Sequence, residues 1–167
     1  MSDKKTAQKG IVITRIFDAP RTLVWKAWTD PKHFMQWWGP KDYTSPSCTI
    51  DLQVGGTYLF CMRSREGKDF WSTGKYQEIK KPERIVCTDS FADEKGNVVP
   101  ATHYGMSPDF PAEMLMTVTF EIQAGRTRLT LRHAGIPAGE MRDLTRAGWN
   151  ESLDKLAGVL GQAVYKK

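Results

Sequence analysis

The residue best placed to move a proton is His133, at the end of "TRLTLRH". It follows Leu129 and Leu131 at every second position, so on a strand it shares their apolar face. An imidazole held there can act as a general acid or base near neutral pH, although a hydrogen-bonded histidine at a strand end is the commoner role. Asp89 in "IVCTDSF" is the second candidate proton shuttle. It shares a strand face with Ile85, Cys87 and Phe91, and the pattern leaves open whether that carboxylate is buried or solvated. His33 falls on an exposed helical turn and His103 in a long loop, and neither has a carboxylate or thiol at a telling spacing. Cys48, Cys61 and Cys87 are odd in number, widely spaced and without a CxxC pair, which indicates neither a disulfide framework nor a zinc site. No Gly-rich phosphate loop, nucleophile elbow or metal-binding His pair occurs, and "VGGTY" reads as the start of a strand where glycine allows a bend. The chemistry on offer is therefore proton transfer in an apolar setting, with no metal and no cofactor expected.

Such a setting needs walls. "FMQWWGP" crowds Phe34, Trp37 and Trp38 into five positions, at spacings that put at least one ring inside and leave its neighbour near a cavity mouth. Core packing is the commoner role for aromatic rings at helical spacing, with Trp37 as the candidate cavity contact. Alternation in "VGGTYLFCMRS" turns Tyr58, Phe60 and Met62 inward, and "MLMTVTFEI" does the same for Met114, Met116, Val118 and Phe120. In "FWSTGKYQEI", Lys75 and Gln77 belong in water, which places Phe70 and Tyr76 inside and Trp71 outside unless a bulge at Gly74 resets the register. With Leu131, His133, Trp149 and Leu153, these residues would line one interior. Six tryptophans and seven methionines suit an adaptable apolar pocket, as they also suit an ordinary core. Tyr104, Met106 and Phe110 in the proline-rich loop 98–113 are candidates for a lid, or for contacts that hold the loop to a sheet edge.

The elements that would position these groups follow in order. Residues 1–9 read as a frayed polar tail and 10–165 as a single domain. "GIVITRIF" is a first strand. "DAPRTLVWKAWTD" is a short helix with Asp18 as cap, Pro20 in its first turn and Leu23, Val24, Ala27 and Trp28 on one face. A second short helix is capped by Thr29 or Asp30, begins at Pro31 and ends at Gly39-Pro40. Strands and turns run on to about residue 134. Trp149, Leu153, Leu156, Leu160 and Val164 then recur at steps of three and four on a long C-terminal helix. The fold class is α+β: a curved antiparallel sheet of about six to seven strands around that helix.

The net charge of +5 draws on lysines near both ends, while "REGKD" and "KKPER" intersperse both signs as solvated turns do, so no nucleic-acid partner is expected. "MSDKKTAQKG" is followed only by the short "IVI", and no apolar run reaches membrane-spanning length. A cytoplasmic protein with reduced thiols, without membrane insertion, monomeric or a homodimer, is the expectation.

The stretches "FDAPRTLVWKAWTDP", "FMQWWGP", "GGTYLF", "TDSFADEKGNVV", "TVTFE", "TRLTLRH" and "AGWNESLDKLAGVL" together resemble, in the same order, the homologues of the activator of heat-shock-protein-ninety ATPase, within the START-like (SRPBCC) superfamily. The resemblance spans roughly residues 10 to 160. It implies a helix-grip fold with an apolar cavity between sheet and C-terminal helix, hence a hydrophobic or amphipathic small molecule as ligand. Polyketide aromatases and cyclases of the same superfamily supply an enzymatic alternative, and the co-chaperones that give the branch its name supply a third, with a chaperone as partner. The sequence shows nothing resembling the long N-terminal domain through which eukaryotic co-chaperones of this branch also contact their client, which lowers the co-chaperone reading.

Overall fold

The computed structural model describes residues 10–165, with side chains to Gly161. The tail expected over residues 1–9 and the inward turn expected of Val164 lie outside it. The elements are β1 (Gly10–Phe17), α1 (Arg21–Thr29), α2 (Pro31–Phe34), β2 (Thr44–Ile50), β3 (Thr57–Arg63), β4 (Asp69–Lys80), β5 (Arg84–Ala92), a 3-10 turn (Ala101–Tyr104), β6 (Met114–Gln123), β7 (Arg126–Ala134) and α3 (Glu140–Tyr165). The strands form one seven-stranded sheet in the order β1-β7-β6-β5-β4-β3-β2, antiparallel at every step. It curls as a half-barrel around α3, which makes this the expected α+β helix-grip architecture.

Period-2 alternation accounts for the grip. Along β6, Met114, Met116, Val118 and Phe120 are buried, and along β7 Thr127, Leu129, Leu131 and His133 are buried while Arg126, Arg128 and Arg132 face water. The concave face receives the α3 stripe of Trp149, Leu153, Leu156 and Leu160, all buried in the main core with Ile11 and Ile13 of β1. Helices α1 and α2 close one end with a web of rings. Trp28 lies 4.8 Å from Trp37 and 6.1 Å from Trp149, centroid to centroid, and Phe34 lies 4.2 Å from Phe60.

Several local expectations change. Pro20, not Asp18, occupies the N-cap of α1, and no side chain caps it. Trp25 joins Val24, Ala27 and Trp28 on its buried face, while Leu23 is only half-buried. Asp30 does cap α2, its carboxylate accepting from Lys32 N–H at 2.9 Å, but the helix stops at Phe34 rather than at Gly39. β2 is an edge strand that its Ser- and Pro-containing sequence does not announce. On β4 the irregularity falls between Tyr76 and Glu78, in the ladder to β5, and the ladder to β3 is unbroken past Gly74. Tyr76 is buried as expected, and Trp71, expected outside, is half-buried.

Candidate functional site

A chain of polar contacts crosses the concave floor. Tyr58 on β3 is fully inside, and its ring passes over Gly74 of β4 to reach β5. There its hydroxyl donates toward the Thr88 carbonyl at 2.8 Å and Asp89 Oδ1 at 3.1 Å. Burial, and then the neighbouring Asp89, push the Tyr58 hydroxyl pKa well above its usual value, so it serves as a fixed neutral donor. Asp89 Oδ2 lies 2.9 Å from His133 Nε2. No atom completes a well-aligned hydrogen bond with Nε2, so this is a close electrostatic approach rather than a linear bond. On the other side of the ring, Trp149 Nε1–H of α3 donates to His133 Nδ1 at 3.1 Å. An indole nitrogen only donates, so Nδ1 is the acceptor and the imidazole proton resides on Nε2, facing Asp89.

Above this floor opens a cavity of about 330 Å³ between sheet, α3 and two loops. Its strand wall includes Met62, Phe70, Ser72, Asp89, Ser90 and Phe91. Met114 and His133 extend it onto β6 and β7. The helix wall is the N-terminal half of α3: Met141, Leu144, Thr145, Gly148, Trp149 and Ser152. There Thr145, Gly148 and Ser152 interrupt the large residues of the stripe, and the volume they leave unfilled is part of the cavity. α3 lies against Pro40 at Gly148, where an added Cβ would meet Pro40 Cγ at 3.5 Å, an ordinary packing distance.

Trp38, Gly39, Pro40 and Tyr43 form the third wall. It is clipped to α3 by Lys155, whose Nζ donates to the carbonyls of Gly39 (3.0 Å), Pro40 (3.3 Å) and Tyr43 (3.0 Å). Burial lowers the lysine's pKa below its ordinary value, and Glu151 offsets this in part. The fourth wall is the 98–113 loop. Met106 and Phe110 face the cavity, and Phe110 is packed in a small second core with Ala101, Met114 and Ile136. Tyr104 anchors the loop to the sheet by donating to Ala92 O and accepting from Trp71 N–H at 3.1 Å.

Of the residues expected to line the interior, Met62, Phe70, Met114, His133 and Trp149 border the cavity, as do Asp89, Met106 and Phe110. Others lie in closed core instead. Trp37 is fully buried, its Nε1–H on Ala27 O at 2.9 Å, and Trp38 takes the cavity position expected of it. Tyr58, Phe60, Tyr76, Met116, Leu131 and Leu153 are likewise core side chains beneath or beside the void. Tyr104 tethers rather than lines. Tyr43 and the α3 residues before Trp149 went unseen by sequence reasoning. Met141, Thr145, Gly148 and Ser152 continue the Trp149 stripe at helical spacing, which was the available signal.

Among the described residues, no group of three or more His, Cys, Asp or Glu side chains is placed to hold a metal ion. No helix among them is long and apolar enough to cross a membrane.

The fold recurs in many solved structures. A protein of Chromobacterium violaceum is 27% identical, with 90% of this chain and 95% of that one aligned at a TM-score of 0.72. The AHSA1 protein of Silicibacter pomeroyi is 24% identical over 92% of this chain and 98% of its own, TM-score 0.73. A Nitrosomonas europaea protein is 22% identical over 93% and 96%, TM-score 0.73. No curated protein matches the chain. The sequence pattern described as "Activator of Hsp90 ATPase homolog 1-like protein" matches residues 18–161, the greater part of the chain, and the chain belongs to that family.

Proposed function

We propose that the protein holds a hydrophobic or amphipathic small molecule between its sheet and its C-terminal helix. The observation that carries this reading is the 330 Å³ cavity itself, walled mainly by aromatic, methionine and aliphatic side chains, with Asp89 and His133 on its floor. Its volume is on the order of ten water molecules, at the lower end for small-molecule sites. Met62, Met106, Met114 and Met141 give that wall unbranched side chains able to repack around differently shaped guests.

Tryptophan-fluorescence and thermal-shift screening against sterols, flavonoids, fatty acids and aromatic polyketides tests it, with Trp38→Phe and Trp149→Phe as controls. A ligand at about 100 times its Kd should add about 2.7 kcal/mol of stability, hence a rise in Tm of at least several degrees. Silence across that breadth of compounds would refute the reading.

A second reading, a cyclase-like enzyme acting on a polyketide-like substrate, draws on Asp89 and His133 bordering the same cavity 2.9 Å apart. Geometry favours binding over catalysis by the histidine, because both ring nitrogens already face protein groups, so Asp89 would carry any proton transfer. Turnover of a bound polyketide that is lost in Asp89→Asn would support it.

A further inference from the structure

The charge of the cavity wall is one-sided. Among the described residues bordering the void, Asp89 is the one acid, and none is lysine or arginine. Asp89 has no lysine or arginine partner among those residues; His133 is its only ion-pair contact. The imidazole is itself engaged on its far side, where Nδ1 accepts from the Trp149 indole N–H. Tyr58 offers a neutral hydroxyl. The nearby ammonium of Lys155 is spent on the three backbone carbonyls of the 39–43 wall. A carboxylate has roughly four lone-pair sites, and Asp89 uses one oxygen toward Tyr58 and the other toward His133, so acceptor capacity is left over. Its side chain keeps 17% of its surface accessible although the floor around it is closed.

A carboxylate with no lysine or arginine beside it in a largely apolar site is costly, and a guest that brings a positive or hydrogen-donating head relieves that cost. A guest bringing a second carboxylate adds like-charge repulsion in a region of weak screening. The rings of Trp38, Tyr43, Phe70, Phe91 and Trp149 border the same space, and their negative faces also favour a cation.

We infer that the cavity selects hydrophobic amines, a compact apolar body with one cationic head directed at Asp89, and discriminates against the carboxylic acid of the same shape. The inference rests on the ligand-binding reading above and narrows its ligand class.

The test is titration calorimetry of the full chain at neutral pH with three probes that share a body: 2-(1-naphthyl)ethylamine, 2-(1-naphthyl)ethanol and 1-naphthylacetate. The amine is expected to bind at least about tenfold tighter than the acetate, with the alcohol between them, a gap of about 1.4 kcal/mol or more. Asp89→Asn should bring the amine-to-acetate ratio toward one, and Asp89→Glu, which keeps the charge, should preserve a preference for the amine. The wild-type ranking decides the matter even if a variant fails to fold. Acetate binding as tightly as the amine, or more tightly, overturns the inference and leaves ligand binding intact. If none of the three binds, the inference is overturned, and the broader screen then decides the ligand-binding reading: hits leave it standing and a silent screen overturns it as well.

Discussion

Replacing Gly74 by alanine tests the construction of the floor directly. In a strand, Gly→Ala at a compatible position should stabilise by about 0.4–1 kcal/mol, because the unfolded chain loses freedom. Here the added methyl would overlap the carbonyl oxygen of Thr88 and lie 2.5 Å from Tyr58 Cε2 and 2.7 Å from Tyr58 Oη. Two costs follow. Clearing a backbone oxygen means separating β4 from β5 locally, an overpacking strain of about 1–3 kcal/mol. Displacing Tyr58 breaks its bond to Thr88 O and takes a donor from Asp89, leaving buried acceptors short by about another 1–3 kcal/mol. The net expectation is destabilisation of roughly 2–5 kcal/mol, a sizeable part of an ordinary domain's stability, read as a lower urea midpoint and a Tm lower by more than about 5 °C. Tyr58→Phe alone should cost about 1–2 kcal/mol, and the double variant less than the sum, since both changes remove the same bond. A Gly74→Ala protein as stable as the parent, or more so, would refute the claim that this glycine exists to let the tyrosine cross.

Three further outcomes are expected. Trp37→Ala should cost about 3–5 kcal/mol in urea unfolding because its ring is closed in core, whereas Trp38→Ala should cost clearly less and weaken any cavity ligand. Burial pushes the Cys48 thiol up to about 12 and Cys61 to about 11, so iodoacetamide labelling of the native protein at pH 8 should run at least about a hundredfold slower than after unfolding. Lys155→Met should destabilise by about 1–3 kcal/mol and speed amide exchange at Tyr43, whose N–H bonds Pro40 O inside the clipped wall. The sign of its pH dependence is fixed as well. With the native pKa lowered, the unfolded chain binds more protons between that value and 10.5, so the parent should gain stability relative to Lys155→Met as pH rises through that window, and thermal melts at stepped alkaline pH would show it.

The architecture was legible where alternation or helical spacing was clean. β6, β7 and the Leu-rich part of α3 each bury the side chains that their pattern designates. β2 escaped because an edge strand with Pro46 carries no alternating apolar face. The choice between Trp37 and Trp38 assumed a helix continuing to Gly39, but α2 ends at Phe34, so helical spacing no longer ranks the two rings. Asp89 and His133 were both singled out, yet their meeting was not visible, since they sit two strands apart, opposite Met114 and Met116 of the intervening β6. A void is harder still to read, because it is recorded only as side chains too short to fill it, here Thr145, Gly148 and Ser152 on a stripe otherwise of large residues.

The pairing of β1 with β7 joins the start of the described chain to the last of its described strands: Gly10 finds its partner only in Ala134. At ordinary synthesis rates of about 5–20 residues per second, the first strand waits roughly 6–25 seconds on the ribosome before its partner strand exists. During that interval the tryptophans of α1 have no α3 to lie against, and the floor has neither His133 nor Trp149. Five of the six strand pairings join consecutive strands and can form as they are made, but closure by β1 is therefore expected to wait until β7 and α3 exist, with the half-built sheet most exposed to aggregation in the meantime.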